Sequence, residues 1–263
     1  SEIREHETSD SHDSSNPNTP TGLIGRESQV FQGGSASAAG HARTVFARGG
    51  NAAPRRPLFL CLHGWGSNEA DLADMMRYVA PYNDFASLRA PLVLQEAGSG
   101  EFGFGQGAIR GSMIAASGKD LDRDAYAAAQ AIDDWVARNV PEDRAVVPIG
   151  FSQGGLLAIH LLRVHPERYA ASISLSGFLA PGIVAGSAPA DSHVAELNIP
   201  VFYGYGKNDT VIPMPELFAT AAWLDEHTFL TSKSIVDSIM RQLNEFSDLR
   251  DWLAAHDIAP GIL

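Results

Sequence analysis

From Asn51 onward, short unbroken apolar runs alternate with longer stretches that repeat their apolar residues at helical spacing. Leu58-Phe59-Leu60-Cys61-Leu62 is apolar throughout, as a strand covered on both faces must be, and predicts a buried strand. In 68–80, Leu72, Met75, Met76 and Val79 follow the i, i+3, i+4, i+7 rule, which predicts a helix stopped by Pro81. Phe85 to Arg89 predicts a second strand. Leu121 to Asn139 predicts a long helix, with Asp122 and Asp124 in the first turn and Arg138 in the last, charges that suit the helix macrodipole. Next come a strand from Ala145 to Ile149 and a helix from Gln153 to Val164, ended by Pro166. Pro148 is awkward inside a central strand and is expected where the ladder ends. Two more strands, Ala170 to Leu175 and Ile199 to Tyr205, precede a helix from Pro215 to Glu226. The terminal helix, about Ser238 to Ala255, aligns Ile239, Leu243, Phe246, Leu249, Trp252 and Leu253 on one face. This alternation is the pattern of an α/β fold, a mostly parallel sheet with helices on both faces.

The first 25 residues carry Ser, Asp, Asn, Thr, Pro and His with almost no apolar periodicity, too little to offset the entropy of ordering, and are expected to be a disordered tail. Residues 26–263 are expected to form a single domain. It would open on a hairpin with Gln29-Val30-Phe31 and Thr44-Val45-Phe46 as its strands.

Composition narrows the function. Nineteen Lys and Arg against 31 Asp and Glu give a formal charge of -12, which opposes binding to nucleic acid or anionic lipid. One cysteine, Cys61, excludes an internal disulfide and a thiolate metal cluster, and its apolar run makes it a buried structural thiol. His6, His12 and His41 lack ligand spacing, so no metal is expected. No stretch approaches the roughly 18 apolar residues of a membrane helix. No charged segment followed by an apolar one marks the chain for export, so a cytoplasmic location is expected.

The chemistry centres on Gly150-Phe151-Ser152-Gln153-Gly154. A serine hydroxyl becomes a useful nucleophile when it is presented on a sharp turn beside a base and oxyanion donors. In G-x-S-x-G between a strand and a helix, the flanking glycines make room for that turn. The neighbouring Ala145-Val146-Val147-Pro148-Ile149 and Gly155-Leu156-Leu157-Ala158-Ile159 supply the strand and the helix, which makes Ser152 the candidate nucleophile. The Gln153 amide would be one oxyanion donor. The second belongs on the loop after an earlier strand, where His63-Gly64-Trp65-Gly66 follows Leu62, and falls to the Trp65 amide; His63 itself is read as holding the loop. The acid should follow the next-to-last strand, which makes Asp209 in Gly206-Lys207-Asn208-Asp209 the candidate.

Together, Leu62-His63-Gly64-Trp65-Gly66-Ser67-Asn68, Leu88-Arg89-Ala90-Pro91, Gly150-Phe151-Ser152-Gln153-Gly154-Gly155, Leu175-Ser176-Gly177-Phe178 and Asp209-Thr210-Val211-Ile212-Pro213 resemble the bacterial carboxylesterase and phospholipase-like branch of the α/β-hydrolases, which also holds the acyl-protein thioesterases. The pieces run in the family's order from about Thr44 to Leu253. The resemblance implies an α/β-hydrolase fold and a cofactor-free serine hydrolase acting on carboxylic esters of small or medium acyl chains. It also implies an acyl pocket to which Phe102, Phe104 and Phe178 contribute. The expected partner is a small-molecule ester, with a homodimer left open and thioester or amide cleavage on the same scaffold as alternatives.

One part of the pattern is missing. The family places its histidine after the last strand, in a Gly-Leu-Gly-His-Ser-Ile-like stretch, where this chain has Thr231-Ser232-Lys233-Ser234-Ile235-Val236-Asp237-Ser238-Ile239. Beyond Asp209 the only histidines are His227 and His256, both expected at helix ends far from Ser152. Two readings stay open: a histidine-bearing loop is missing from this stretch, or the base has been lost, with Asp237 or nothing in its place. The second would leave a slow enzyme or a silent protein that binds an ester or a partner.

Overall fold

All five residues of Leu58–Leu62 are buried, because their side chains alternate between two apolar layers on opposite faces of one sheet. The computed structural model describes residues 24–33, 42–49, 56–62, 75–88, 117–206, 212–235 and 238–259. Its strands are β1 (Ile24–Gly33), β2 (Ala42–Gly49), β3 (Leu58–Leu62), β4 (Phe85–Leu88), β5 (Val146–Phe151), β6 (Ser172–Leu175), β7 (Pro200–Gly206) and β8 (Phe229–Ile235). They form one sheet in the order β1-β2-β4-β3-β5-β6-β7-β8. β1 and β2 are an antiparallel hairpin with Val30 opposite Val45, and β2 runs antiparallel to β4. The six strands β3 to β8 are parallel.

The principal helices are α1 (Gly118–Asn139), α2 (Gln153–Val164), α3 (Met214–His227) and α4 (Ser238–Ala255), with a further helical segment at 75–79. Leu58, Leu60 and Leu62 pack with Trp135 of α1, Leu157 of α2 and Leu217 of α3 on one face. Phe59 and Cys61 pack with Met75, Met76 and Val79 and with Leu249, Trp252 and Leu253 of α4 on the other. Each such side chain contributes about 1.5–3 kcal/mol when taken fully from water. Burial also pushes the Cys61 thiol well above its usual range, so it stays protonated as a structural residue.

Two local expectations need correction. α1 opens at Gly118, three residues earlier than its apolar periodicity shows, because Gly118, Lys119 and Asp120 offer no hydrophobic signal. Asp120 is therefore the first-turn acid, and Asp122 is fully buried. Pro148 lies inside β5, opposite Leu60, and not at the ladder's end. On the β6 side it falls in an interruption, between the Val146–Tyr169 bridge and the Ile149–Ile173 pair.

A polar cluster anchors the long connection from β6 to β7 onto α1 and α2. The Asp122 carboxylate accepts the backbone N–H groups of Gly182, Ile183 and Val184 at 2.6, 2.6 and 2.9 Å. Arg163, buried on α2, donates to both Asp191 oxygens at 2.8 and 2.7 Å and to the Ala180 carbonyl at 2.8 Å. Its guanidinium lies over the Trp223 ring, 4.9 Å from the centroid. His160 donates Nε2–H to the Ser187 carbonyl at 2.7 Å.

Burial, reinforced by nearby Arg163, lowers the His160 pKa from 6.5 to about 4. The unfolded chain therefore binds a proton between those values that the folded chain refuses. This contribution to stability is intact above about pH 6.5 and falls as the medium is acidified toward pH 4, by up to about 3 kcal/mol. Urea midpoints at pH 7, 5.5 and 4.5 should fall less steeply in His160→Gln than in the parent; parallel slopes would show that His160 does not govern this window.

Candidate active site

β5 ends at the centre of the parallel array, between β3 and β6, and the chain reverses there into α2. Ser152 makes the turn with φ 53° and ψ -114°, backbone that a residue with a Cβ adopts only under strain of about 1–3 kcal/mol. Neighbouring backbone holds it in place. The Ser152 N–H donates to the Leu175 carbonyl at 2.8 Å, and the Ser152 carbonyl accepts the Leu156 N–H at 2.9 Å. The Ser152 side chain makes no helix-capping hydrogen bond, although it occupies the N-cap position.

The glycines beside it have physical roles. A Cβ on Gly150 would run into the Gly154 carbonyl and stand 2.7 Å from the Leu62 carbonyl oxygen. A Cβ on Gly155 would stand 2.8 Å from Ser174 Oγ and 2.9 Å from Gly177 Cα. The first turn of α2 can therefore lie directly against the ends of β3 and β6.

Gln153 is the first residue of α2, so its N–H has no acceptor within the helix and sits at the positive end of the helix dipole. Its side-chain Oε1 is buried with no hydrogen-bond partner among the described residues. Phe178 follows the bend after β6, half-buried against the core layer shared by α1, α2 and α3. The structure thus brings Ser152, Gln153 and Phe178 to the C-terminal edge of adjacent strands. Trp65, Phe102, Phe104 and Asp209 lie outside the described residues. The sequence positions of Trp65 and Asp209 follow the ends of β3 and β7, which open toward this same edge.

The two C-terminal histidines lie at the opposite edge. His227 closes α3, its Nδ1–H donating to the Trp223 carbonyl at 2.7 Å and its ring stacked 4.0 Å from the Trp223 ring. His256 follows α4 and packs edge-on against Phe229, which opens β8 opposite Pro200, the first residue of β7. β8 runs to Ile235 and α4 begins at Ser238, so only Val236 and Asp237 separate them. Among the described residues no group of three or more His, Cys, Asp or Glu could hold a metal ion. No helix among them is long and apolar enough to cross a membrane.

Sequence reasoning missed the buried hydroxyls that face α2 and the bend after β6, of which those of Ser174 and Tyr203 lie nearest the serine turn. Ser172 and Ser174 alternate with Ile173 in β6 and donate Oγ–H to α2 carbonyls, at Ala158 (2.8 Å) and Gly155 (3.0 Å). The buried Tyr203 of β7 donates its hydroxyl to the Gly177 carbonyl at 2.7 Å. Two serines at alternate positions in an otherwise apolar strand were the available signal, since a buried hydroxyl needs an acceptor.

The strand order and the strained serine turn after β5 define an α/β-hydrolase. The model of the phospholipase/carboxylesterase family matches residues 49–255, and the chain belongs to that family. Solved structures share its fold at low identity. YahD, solved with malic acid, is 17% identical with a TM-score of 0.57, over 81% of this chain and 99% of its own. The carboxylesterase of Bacillus cereus is 15% identical with a TM-score of 0.55, over 80% and 94%. Acyl-protein thioesterase 2 of Zea mays is 17% identical with a TM-score of 0.53, over 78% and 95%. No curated protein shows significant sequence similarity to the chain.

Proposed function

We propose that the chain is a serine carboxylesterase that cleaves small or medium acyl esters through an acyl-enzyme on Ser152. The observation that carries this reading is the backbone of Ser152, held at φ 53° between β5 and the N-terminus of α2. Ser152 Oγ attacks the ester carbonyl, the alcohol leaves, and water releases the acid. The Gln153 and Trp65 amides receive the developing oxyanion, and Phe102, Phe104 and Phe178 line the acyl pocket. The proton leaving Ser152 requires a base at this edge, which Asp209 would orient and which neither His227 nor His256, at the opposite edge, supplies.

A fluorophosphonate should add once to the protein, on the peptide containing Ser152, and not at all to Ser152→Ala. Hydrolysis of p-nitrophenyl acetate and butyrate should likewise fall to background in Ser152→Ala. Equal rates in the two proteins would rule the reading out. The short junction Val236-Asp237 favours a second reading, in which the cleft binds an ester without turning it over. Removing a triad member leaves a rate lower by several orders of magnitude. In that case p-nitrophenyl esters stay intact while the cleft still retains them.

A further inference from the structure

The Ser152 turn is supported by a second strained bend, which is in turn held by a side chain on the neighbouring strand. Ser176, directly after β6, has φ 56°, and its N–H donates to the Gly204 carbonyl of β7 at 2.6 Å. Gly177 follows with no room for a side chain: a Cβ there would collide with Ser174 Oγ and stand 2.7 Å from the Gly155 carbonyl carbon. The backbones of Gly155 and Gly177 are therefore in direct contact, with the Ser174 hydroxyl wedged beside them. The Gly177 carbonyl accepts the Tyr203 hydroxyl at 2.7 Å. Tyr203 is fully buried, and its ring is stacked on Tyr205 with centroids 5.7 Å apart, which fixes the direction of its hydroxyl.

The contacts form one chain: Tyr203 fixes Gly177, Gly177 and Ser174 fix Gly155, and Gly155 fixes the first turn of α2 that follows Ser152. We propose that Tyr203 and Ser174 are positioning residues that set the placement of the Ser152 and Gln153 backbone. The inference rests on reading Ser152 as the nucleophile and the Gln153 amide as an oxyanion donor. Catalytic geometry is sensitive to small displacements, a shift of about 1 Å costing on the order of a hundredfold in rate. Releasing one hydrogen bond in this chain of contacts is expected to cost about tenfold.

Ser172 provides an internal control. It lies on the same strand and bonds the same helix, at Ala158, one turn farther from Ser152. Tyr203→Phe, Ser174→Ala and Ser172→Ala each delete one buried hydroxyl. Two measurements on the full chain test the proposal: the rate of fluorophosphonate capture at Ser152, and backbone amide exchange over residues 150–157. Tyr203→Phe and Ser174→Ala should slow capture about tenfold and speed exchange over 150–157 about tenfold, while Ser172→Ala keeps both within about twofold of the parent at a similar loss of melting temperature. If Tyr203→Phe does not fold, Ser174→Ala carries the comparison alone. Exchange over 150–157 that is the same in Tyr203→Phe and Ser172→Ala overturns the proposal, as does unchanged capture in a parent that is itself captured. A parent that takes no fluorophosphonate defeats the nucleophile reading instead, and amide exchange then decides the positioning role.

Discussion

Gly150→Ala is expected to lower stability by about 3 kcal/mol or more and, in whatever fraction folds, to abolish Ser152 reactivity. The added methyl meets the Gly154 carbonyl on one side and the Leu62 carbonyl oxygen at 2.7 Å on the other. Both obstacles are backbone. No rotamer change relieves them, so either the first turn of α2 lifts away from β5 or β3 shifts in its ladder, where Leu62 pairs with Gly150. Gly118→Ala is the contrast. Gly118 has φ +69°, but a Cβ there meets nothing within 4 Å, so the substitution carries only backbone strain of about 1 kcal/mol. Urea unfolding of the two variants separates collision from strain. Equal midpoints would mean that the close approach at Gly150 relaxes at little cost.

Asp122→Asn is expected to cost about 2–4 kcal/mol despite leaving side-chain volume unchanged. One carboxylate oxygen serves Gly182 and the other serves Ile183 and Val184, all three donors being backbone amides fixed in one bend. An Asn amide must turn its NH2 toward at least one of them, replacing an acceptor with a donor at a side chain that is itself fully buried. The loss should show as a lower melting temperature and faster proteolysis within residues 178–197. A change below about 0.5 kcal/mol, the range of ordinary surface substitutions, would show that the three amides find other acceptors.

The parallel core was most legible in the sequence at β3, whose five buried residues are apolar throughout. Leu58–Leu62 matches the expectation at both ends, and the helix after the serine matches from Gln153 to Val164. Ends set by polar residues were harder: Gly118 to Asp120 extend α1 where periodicity is silent. The serine turn was readable because its constraint is local, one glycine on either side within five residues. Its supports were not. Ser174 and Tyr203 lie on the neighbouring strands β6 and β7, and nothing in the spacing of those residues says that one hydroxyl ends at a carbonyl of α2 and the other at the bend after β6. Asp122 was misread for the same reason. Near the start of a helix an acid suits the macrodipole, and only the distant segment 182–184 reveals what its carboxylate holds.

The two-residue step from β8 to α4 also bears on how this protein could be redesigned. β8 is fixed by seven consecutive pairs with β7, and α4 by Leu249, Trp252 and Leu253 in the core, so neither depends on the step for its position. Each doubling of a loop's length adds only about 0.6 kcal/mol of closure entropy. Sequence inserted between β8 and α4 would thus cost little, and it would start from the C-terminal end of β8, which lies at the same edge as the Ser152 turn. A grafted loop there could carry an imidazole, or any other functional group, toward the cleft while the sheet that presents the serine stays unaltered.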